Sequence, residues 1–317
     1  KRLIQNLLVV LGMLLLLIVL GEIVLRAFFA DRIYGEYGFG PGYVKLTREV
    51  SLNSYGYRDV EHTLERDARR ILILGDSMTY GAGIDNLNDL YGRLLQNKLD
   101  DEYGVGSYEV IILAQPGYST FDELRALHDI GLSFNPDIVV LAYQLNDAEG
   151  PRSREGFESL YFRHYFYPYA VGGWLYQHSF FFYFFESRMK HLIRAAGLEE
   201  ATYEKYIKHL YEPSDFLEQH KRALGAFVKL ARSSGADVVV MDIPTLVVSE
   251  YPFSDAITHV HDATIPHGAY YFTLLPTLSA YEPAALQVSF LDGHLNEKGH
   301  VIAADTLFAY LNEHKLI

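Results

Sequence analysis

A hydroxyl becomes a useful nucleophile when a turn holds it at the end of a strand and a base stands beside it. The run ILILGDSMTYGAG, residues 71–83, offers such a hydroxyl in Ser77. Its apolar stretch ends at Gly75, and the tight turn Gly75-Asp76-Ser77 would leave the serine side chain at the top of a sheet, ahead of a helix. The backbone N–H of Ser77 could then also point at the carbonyl under attack. The flanking glycines do not make a G-x-S-x-G elbow, since only Gly75 and the pair Gly81 and Gly83 surround the serine. A serine here can equally cap the following helix through its side-chain oxygen. Asp76 is expected to hold the turn or cap that helix rather than to do chemistry.

Three further segments end later apolar runs. In AQPGYST, Gly117 allows the backbone to approach a ligand and offer its N–H. In YQLND, the amide of Asn146 could donate to an oxyanion, although Asn146-Asp147 could also be no more than a turn. In FLDGHLNEKGH, residues 290–300, His294 stands just before the last helical pattern with Asp292 two residues earlier. An imidazole, whose ordinary pKa is about 6.5, is suited to take the serine proton. His294 could instead merely pack, and His300 reads as a helix-surface or satisfied core residue. The chain has no cysteine, which removes disulfides, thiolate metal sites and a Cys nucleophile together. Its 13 histidines show no H-x-x-x-H or similar ligand spacing, so neither a metal nor any other cofactor is expected.

Parallel strands buried on both faces can hold these segments at one edge of a sheet. RILIL (70–74), YEVIIL (108–113), DIVVLA (137–142), DVVVMDI (237–243) and YYFTLL (270–275) read as such strands. Amphipathic helical patterns over 89–99, 121–132, 216–235 and 299–314 alternate with them. The alternation predicts a doubly wound α/β sheet with its site at the strands' carboxyl ends.

The ordered blocks GDS, Gly117, Asn146 and His294 resemble the SGNH/GDSL hydrolase family, named for Ser, Gly, Asn and His. NSYGYRD, ahead of the first strand, looks like the lead-in of anchored bacterial members. The resemblance implies a flavodoxin-like doubly wound parallel sheet and an acyl-enzyme mechanism. Ser77 would be the nucleophile, His294 the base and Asp292 the orienter. The N–H groups of Ser77 and Gly117 with the Asn146 amide would bind the oxyanion. Two positions depart from the family pattern. Gln144 stands where the third block usually has Gly, which would narrow the space beside Asn146. Asp292 precedes His294 by two residues rather than three.

At the N-terminus, LLVVLGMLLLLIVL (7–20) and its extensions approach a bilayer-spanning length, for which about 20 helical residues suffice. Residues 1–30 are therefore read as an uncleaved transmembrane anchor contacting the bilayer through about 3–30, since AFFA at 27–30 is a poor cleavage site. Lys1 and Arg2 put the N-terminus in the cytoplasm and the globular domain in the periplasm or outside the cell. Glu22 is expected to snorkel to the interface or else to meet a partner helix. Residues 31–69 read as linker and lead-in, and 70–317 as the α/β domain with an aromatic-rich insertion at about 151–215. Within it, SFFFYFF predicts a helix that is buried, meets lipid or lines a site.

A formal net charge of −13 argues against a nucleic-acid partner. The expected function is a serine esterase or O-acyltransferase acting on acyl esters of cell-envelope carbohydrate or lipid, with a multi-spanning membrane protein as a further partner. The alternative is a non-catalytic subunit of a membrane assembly that uses the same fold.

Overall fold

In the computed structural model the described residues are 2–28, 51–65, 67–150, 175, 178–195, 203–247, 251–289 and 292–317. In chain order the helices and strands are α1 (Arg2–Phe28), β1 (Arg69–Gly75), α2 (Ser77–Tyr80), α3 (Tyr91–Tyr103), β2 (Tyr108–Ala114), α4 (Thr120–Asp129) and β3 (Ile138–Tyr143). Then come α5 (Phe180–Ala195), α6 (Tyr203–Leu210), α7 (Asp215–Ser233), β4 (Asp237–Asp242), α8 (Ser254–Thr264) and β5 (Tyr270–Thr273). The chain ends with α9 (Leu275–Leu278), β6 (Gln287–Ser289), β7 (Asp292–Leu295) and α10 (Glu297–Glu313).

The chain divides into two units, Ser51–Glu158 with Tyr203–Ile317, and Lys1–Val50 with Ser159–Thr202. In the larger unit β1 to β5 form a parallel sheet in the order β2-β1-β3-β4-β5. Ile71 to Leu74 and Val139 to Leu141 are fully buried, which is why these strands read as unbroken apolar runs. Side chains alternate across the sheet. Ile71 and Ile73 pack with Tyr91 and Leu95 of α3 and Leu307 and Leu311 of α10. Helix α4 packs on α7, and α7 on α8.

The strand order reverses between β1 and β3, the switch point at which a doubly wound sheet opens a crevice. Gly75 is in register with Ala114 of β2 and Ala142 of β3, so the loops after the three strands leave at one level. The blocks containing Ser77, Gly117 and Asn146 follow those three strands.

Residues 51–65, read from sequence as part of a linker and lead-in, pack into this unit. Arg58 is buried and donates to the carbonyls of Tyr80, Gly81, Ile84 and Asp85, the turn that follows α2. Asp59, also buried, accepts from the Ile112 N–H of β2 at 2.7 Å and pairs with His62 at 2.8 Å. The lead-in thus fastens both the nucleophile loop and the neighbouring strand.

The smaller unit contains α1 and α5. From Ile4 to Phe28, α1 is long and apolar enough to cross a membrane. Of the two readings of Glu22, it is the partner helix that the structure shows. Its carboxylate accepts from Ser179 Oγ at 2.7 Å and from the N–H groups of Phe180 and Phe181 at 3.2 and 2.8 Å. The sequence-read stretches YGEYGFGPGY and 151–174 lie outside the described residues.

Candidate active site

Gly75 closes β1 because nothing larger fits. A Cβ there would stand 2.2 Å from Thr79 Oγ1 and 3.0 Å from the Ala142 carbonyl. Asp76 then caps α2, its Oδ1 accepting from the Met78 N–H at 2.8 Å, so the cap is Asp76 and Ser77 becomes the first helical residue. That frees the Ser77 hydroxyl, which lies 2.8 Å from His294 Nε2 and 3.3 Å from Asp76 Oδ2.

His294 sits on the short strand β7, which pairs antiparallel with β6, rather than in a loop before the last helix. Asn296 caps that helix, its side chain accepting from the Gly299 N–H. On a strand, residues two apart face the same side. The Asp292-x-His294 spacing therefore puts carboxylate and imidazole together: Nδ1 is 2.5 Å from Asp292 Oδ1, and the same oxygen accepts from the His294 N–H at 3.0 Å. Burial pushes the Asp292 carboxyl up. The hydrogen bonds and charge of His294 outweigh that and hold it below its ordinary range.

Gly117 is the third residue of the turn Gln115-Pro116-Gly117-Tyr118, closed by Tyr118 N–H on the Gln115 carbonyl at 3.2 Å. Its φ of 77° is the conformation this position demands when Pro precedes it in a type II turn. Asn146 lies in the 3-10 turn Leu145–Ala148, and its Nδ2 is 3.4 Å from Asp76 Oδ2. Gln144 folds back onto that turn: its Oε1 accepts from the Asn146 N–H, while its own N–H donates to Asp147 Oδ2 at 2.7 Å. Tyr211 clamps the turn from the C-terminal part of the insertion by donating to the Leu145 carbonyl at 2.9 Å.

Behind the nucleophile turn is a group of acids that the sequence reading missed. Glu123 of α4 and Asp147 are fully buried. Both carboxylate oxygens of Glu123, and Asp147 Oδ1, lack a hydrogen-bond partner among the described residues. Burial is the main cause that drives both pKa values well up, and mutual repulsion with Asp76 adds to it. Asp76 is raised too, by burial, against the opposing hydrogen bond from Met78 and the charge of His294. A Glu four positions into a helix carries no local sign of such burial. His300 is a core residue, its Nδ1 accepting from the Tyr91 N–H at 3.1 Å and its ring stacked on Tyr91. Among the described residues, no three His, Asp or Glu side chains are grouped to hold a metal ion.

A serine, an imidazole and a carboxylate in one line can carry out acyl transfer. Comparison with solved structures gives low-identity matches over most of the chain. An acetyl xylan esterase, AlAXEase, is 16% identical, with 76% of this chain and 99% of that one covered and a TM-score of 0.48. Esterase EstA from Pseudoalteromonas sp. is 14% identical, with 78% and 100% covered and a TM-score of 0.49. The acetylxylan esterase Axe2 from Geobacillus stearothermophilus, as a catalytic mutant, is 14% identical, with 79% and 96% covered and a TM-score of 0.47. A comparison with curated proteins returns no match. The model of the GDSL-like Lipase/Acylhydrolase family matches residues 73–302, a span that begins in β1, ends in α10 and takes in Ser77, Gly117, Asn146 and His294. With the five-stranded parallel sheet and its order, that match makes this chain a member of the GDSL-like lipase/acylhydrolase family, with the fold of an ester hydrolase.

Proposed function

We propose that the protein is a membrane-anchored acyl-ester enzyme of the cell envelope, working through an acyl-enzyme on Ser77. The observation that carries this reading is the line Asp292–His294–Ser77, with the two ring nitrogens of His294 2.5 Å from the carboxylate and 2.8 Å from the hydroxyl. His294 Nε2 takes the proton of Ser77 as Oγ attacks the acyl carbon. Asp292 fixes the ring tautomer and offsets the charge that the ring gains. The N–H groups of Ser77 and Gly117 and the Asn146 amide receive the oxyanion. The imidazolium then returns its proton to the departing alkoxide, and water or a sugar hydroxyl releases the acyl group.

The N-terminal helix holds the catalytic unit beside the membrane, N-terminus in the cytoplasm and domain outside. The substrate class that fits this placement is an acylated glycan or lipid of the envelope, with a multi-spanning membrane protein as an acyl donor or acceptor partner.

Covalent labelling by a fluorophosphonate, read by intact mass, tests the mechanism. Wild type should gain one adduct as Ser77 Oγ displaces fluoride from phosphorus, and Ser77→Ala and His294→Ala should gain none. A folded wild type that takes no label would favour the non-catalytic subunit instead.

A further inference from the structure

The junction between α1 and α5 is built from several independent contacts. Beyond the three hydrogen bonds that Glu22 accepts, Arg26 donates to Glu22 at 2.6 Å and to the His178 carbonyl at 2.7 Å, and its guanidinium lies over the Phe180 ring. Leu25 packs against Phe180 and Tyr183, which are 6% and 7% exposed. Gly21 makes the notch, since a Cβ there would stand 2.5 Å from the Phe181 ring. A carboxylate on the first N–H groups of a helix satisfies donors that have no partner within the helix. A leader peptide removed after export would take this cap away and uncover Phe180 and Tyr183.

Glu22 lies six residues before the end of α1, about 9 Å along the axis at 1.5 Å per residue. Helix α5 therefore starts near the end of the apolar span, and an aromatic stripe runs from that point. Phe181 and Phe185 stack at 6.3 Å, and Phe185 and Leu192 are 41% and 59% exposed. The second half of α5 turns basic, with Arg188, Lys190, His191 and Arg194 in sequence and no acid after Glu186. A helix that lies in a lipid interface combines an aromatic face with basic residues, and α5 carries both residue types.

We propose that α1 is retained in the working protein and seats α5 on the bilayer, so that the chain meets anionic lipid through two helices. The proposal rests on the anchor reading above but not on the acyl chemistry. The occupant of the stripe is the lipid itself, because the helix that carries it is fastened through Gly21, Glu22 and Leu25 to α1, whose apolar side chains are exposed along the span.

The test uses the full chain in phosphatidylcholine and phosphatidylglycerol vesicles that contain brominated lipid. Trp174 is the single tryptophan, so Trp174→Phe gives a silent background. In that background Phe185→Trp, or Leu192→Trp if the first does not fold, should lose at least half its fluorescence. The same variants in vesicles of unbrominated lipid should keep their emission. Adding Glu22→Leu should restore most of the lost signal at position 185. Protein isolated from its native membrane should also retain residues 2–28 by intact mass.

Unquenched tryptophan at both 185 and 192 in chains that sediment with vesicles overturns the proposal, whether water or protein covers the stripe. A native chain that begins after residue 28 overturns it as well. A chain that does not sediment takes the anchor reading down with it, whereas fluorophosphonate labelling reads the acyl chemistry separately.

Discussion

Ser77 and Asp292 address opposite nitrogens of one imidazole, and a fourth side chain, Asn146, reaches the nucleophile turn through Asp76. One oxyanion donor is typically worth 10²–10³ in rate. Asn146→Ala should therefore lower kcat on a p-nitrophenyl ester by about 10²-fold with little change in KM, in steady-state kinetics. An unchanged kcat would take Asn146 out of the reaction. The Asp292 carboxyl, held down by His294, keeps its charge below the ordinary carboxylate range. Its stabilising contribution is therefore present above the unfolded pKa and disappears only as pH falls through the lower, folded value. The acid limb of kcat/KM should accordingly follow one proton, the one taken by the imidazole. A limb steep enough for two protons would show Asp292 titrating as well.

At the scale of elements, the nucleophile turn is held from outside the sheet. Arg58 satisfies four carbonyls around the end of α2, and each buried carbonyl left without a donor costs about 1–3 kcal/mol. Arg58→Met should destabilise the fold by about 3 kcal/mol or more. The loss would appear as a lowered thermal midpoint and, below that midpoint, as slower labelling of Ser77. A variant that labels at the wild-type rate would confine Arg58 to stability. The sheet beneath this clasp was legible in the sequence, and the clasp was not. Five strands were readable because Ile, Leu and Val buried on both faces leave continuous apolar runs, and three of the four blocks fell just beyond their ends. The hairpin β6–β7 was not readable, since strands of three and four residues are too short to show a period. Arg58 and Glu123 escaped for another reason. Their burial is decided by chain segments far away in sequence, and no local pattern encodes such a partner.

Over the whole molecule, acids are plentiful and some are buried. Asp242, at the end of β4, is fully buried with Oδ2 accepting from Thr273 Oγ1 at 2.6 Å and Oδ1 lacking a partner among the described residues. Burial raises its pKa to about 7, against that one hydrogen bond. The folded value lies above the unfolded one, about 3.9, so the stabilising proton is fully in place below pH ~4 and is lost as pH rises through 7. Stability should fall by up to about 1.4 kcal/mol per pH unit across that window. Asp242→Asn keeps an acceptor for Thr273 and should flatten the fall. Thermal midpoints at pH 5 and pH 8 should lie closer together in the variant than in wild type, and equal gaps would show that Asp242 does not titrate there.

Ser77 and His294 are separated by 217 positions, so the nucleophile and the hairpin that brings in Asp292 and His294 are made far apart in time. A polypeptide still leaving the ribosome has its serine well before its base. A message cut short upstream of the hairpin leaves the serine without one. The line Asp292–His294–Ser77 therefore forms only after the β6–β7 hairpin has been made and has folded back onto the nucleophile turn.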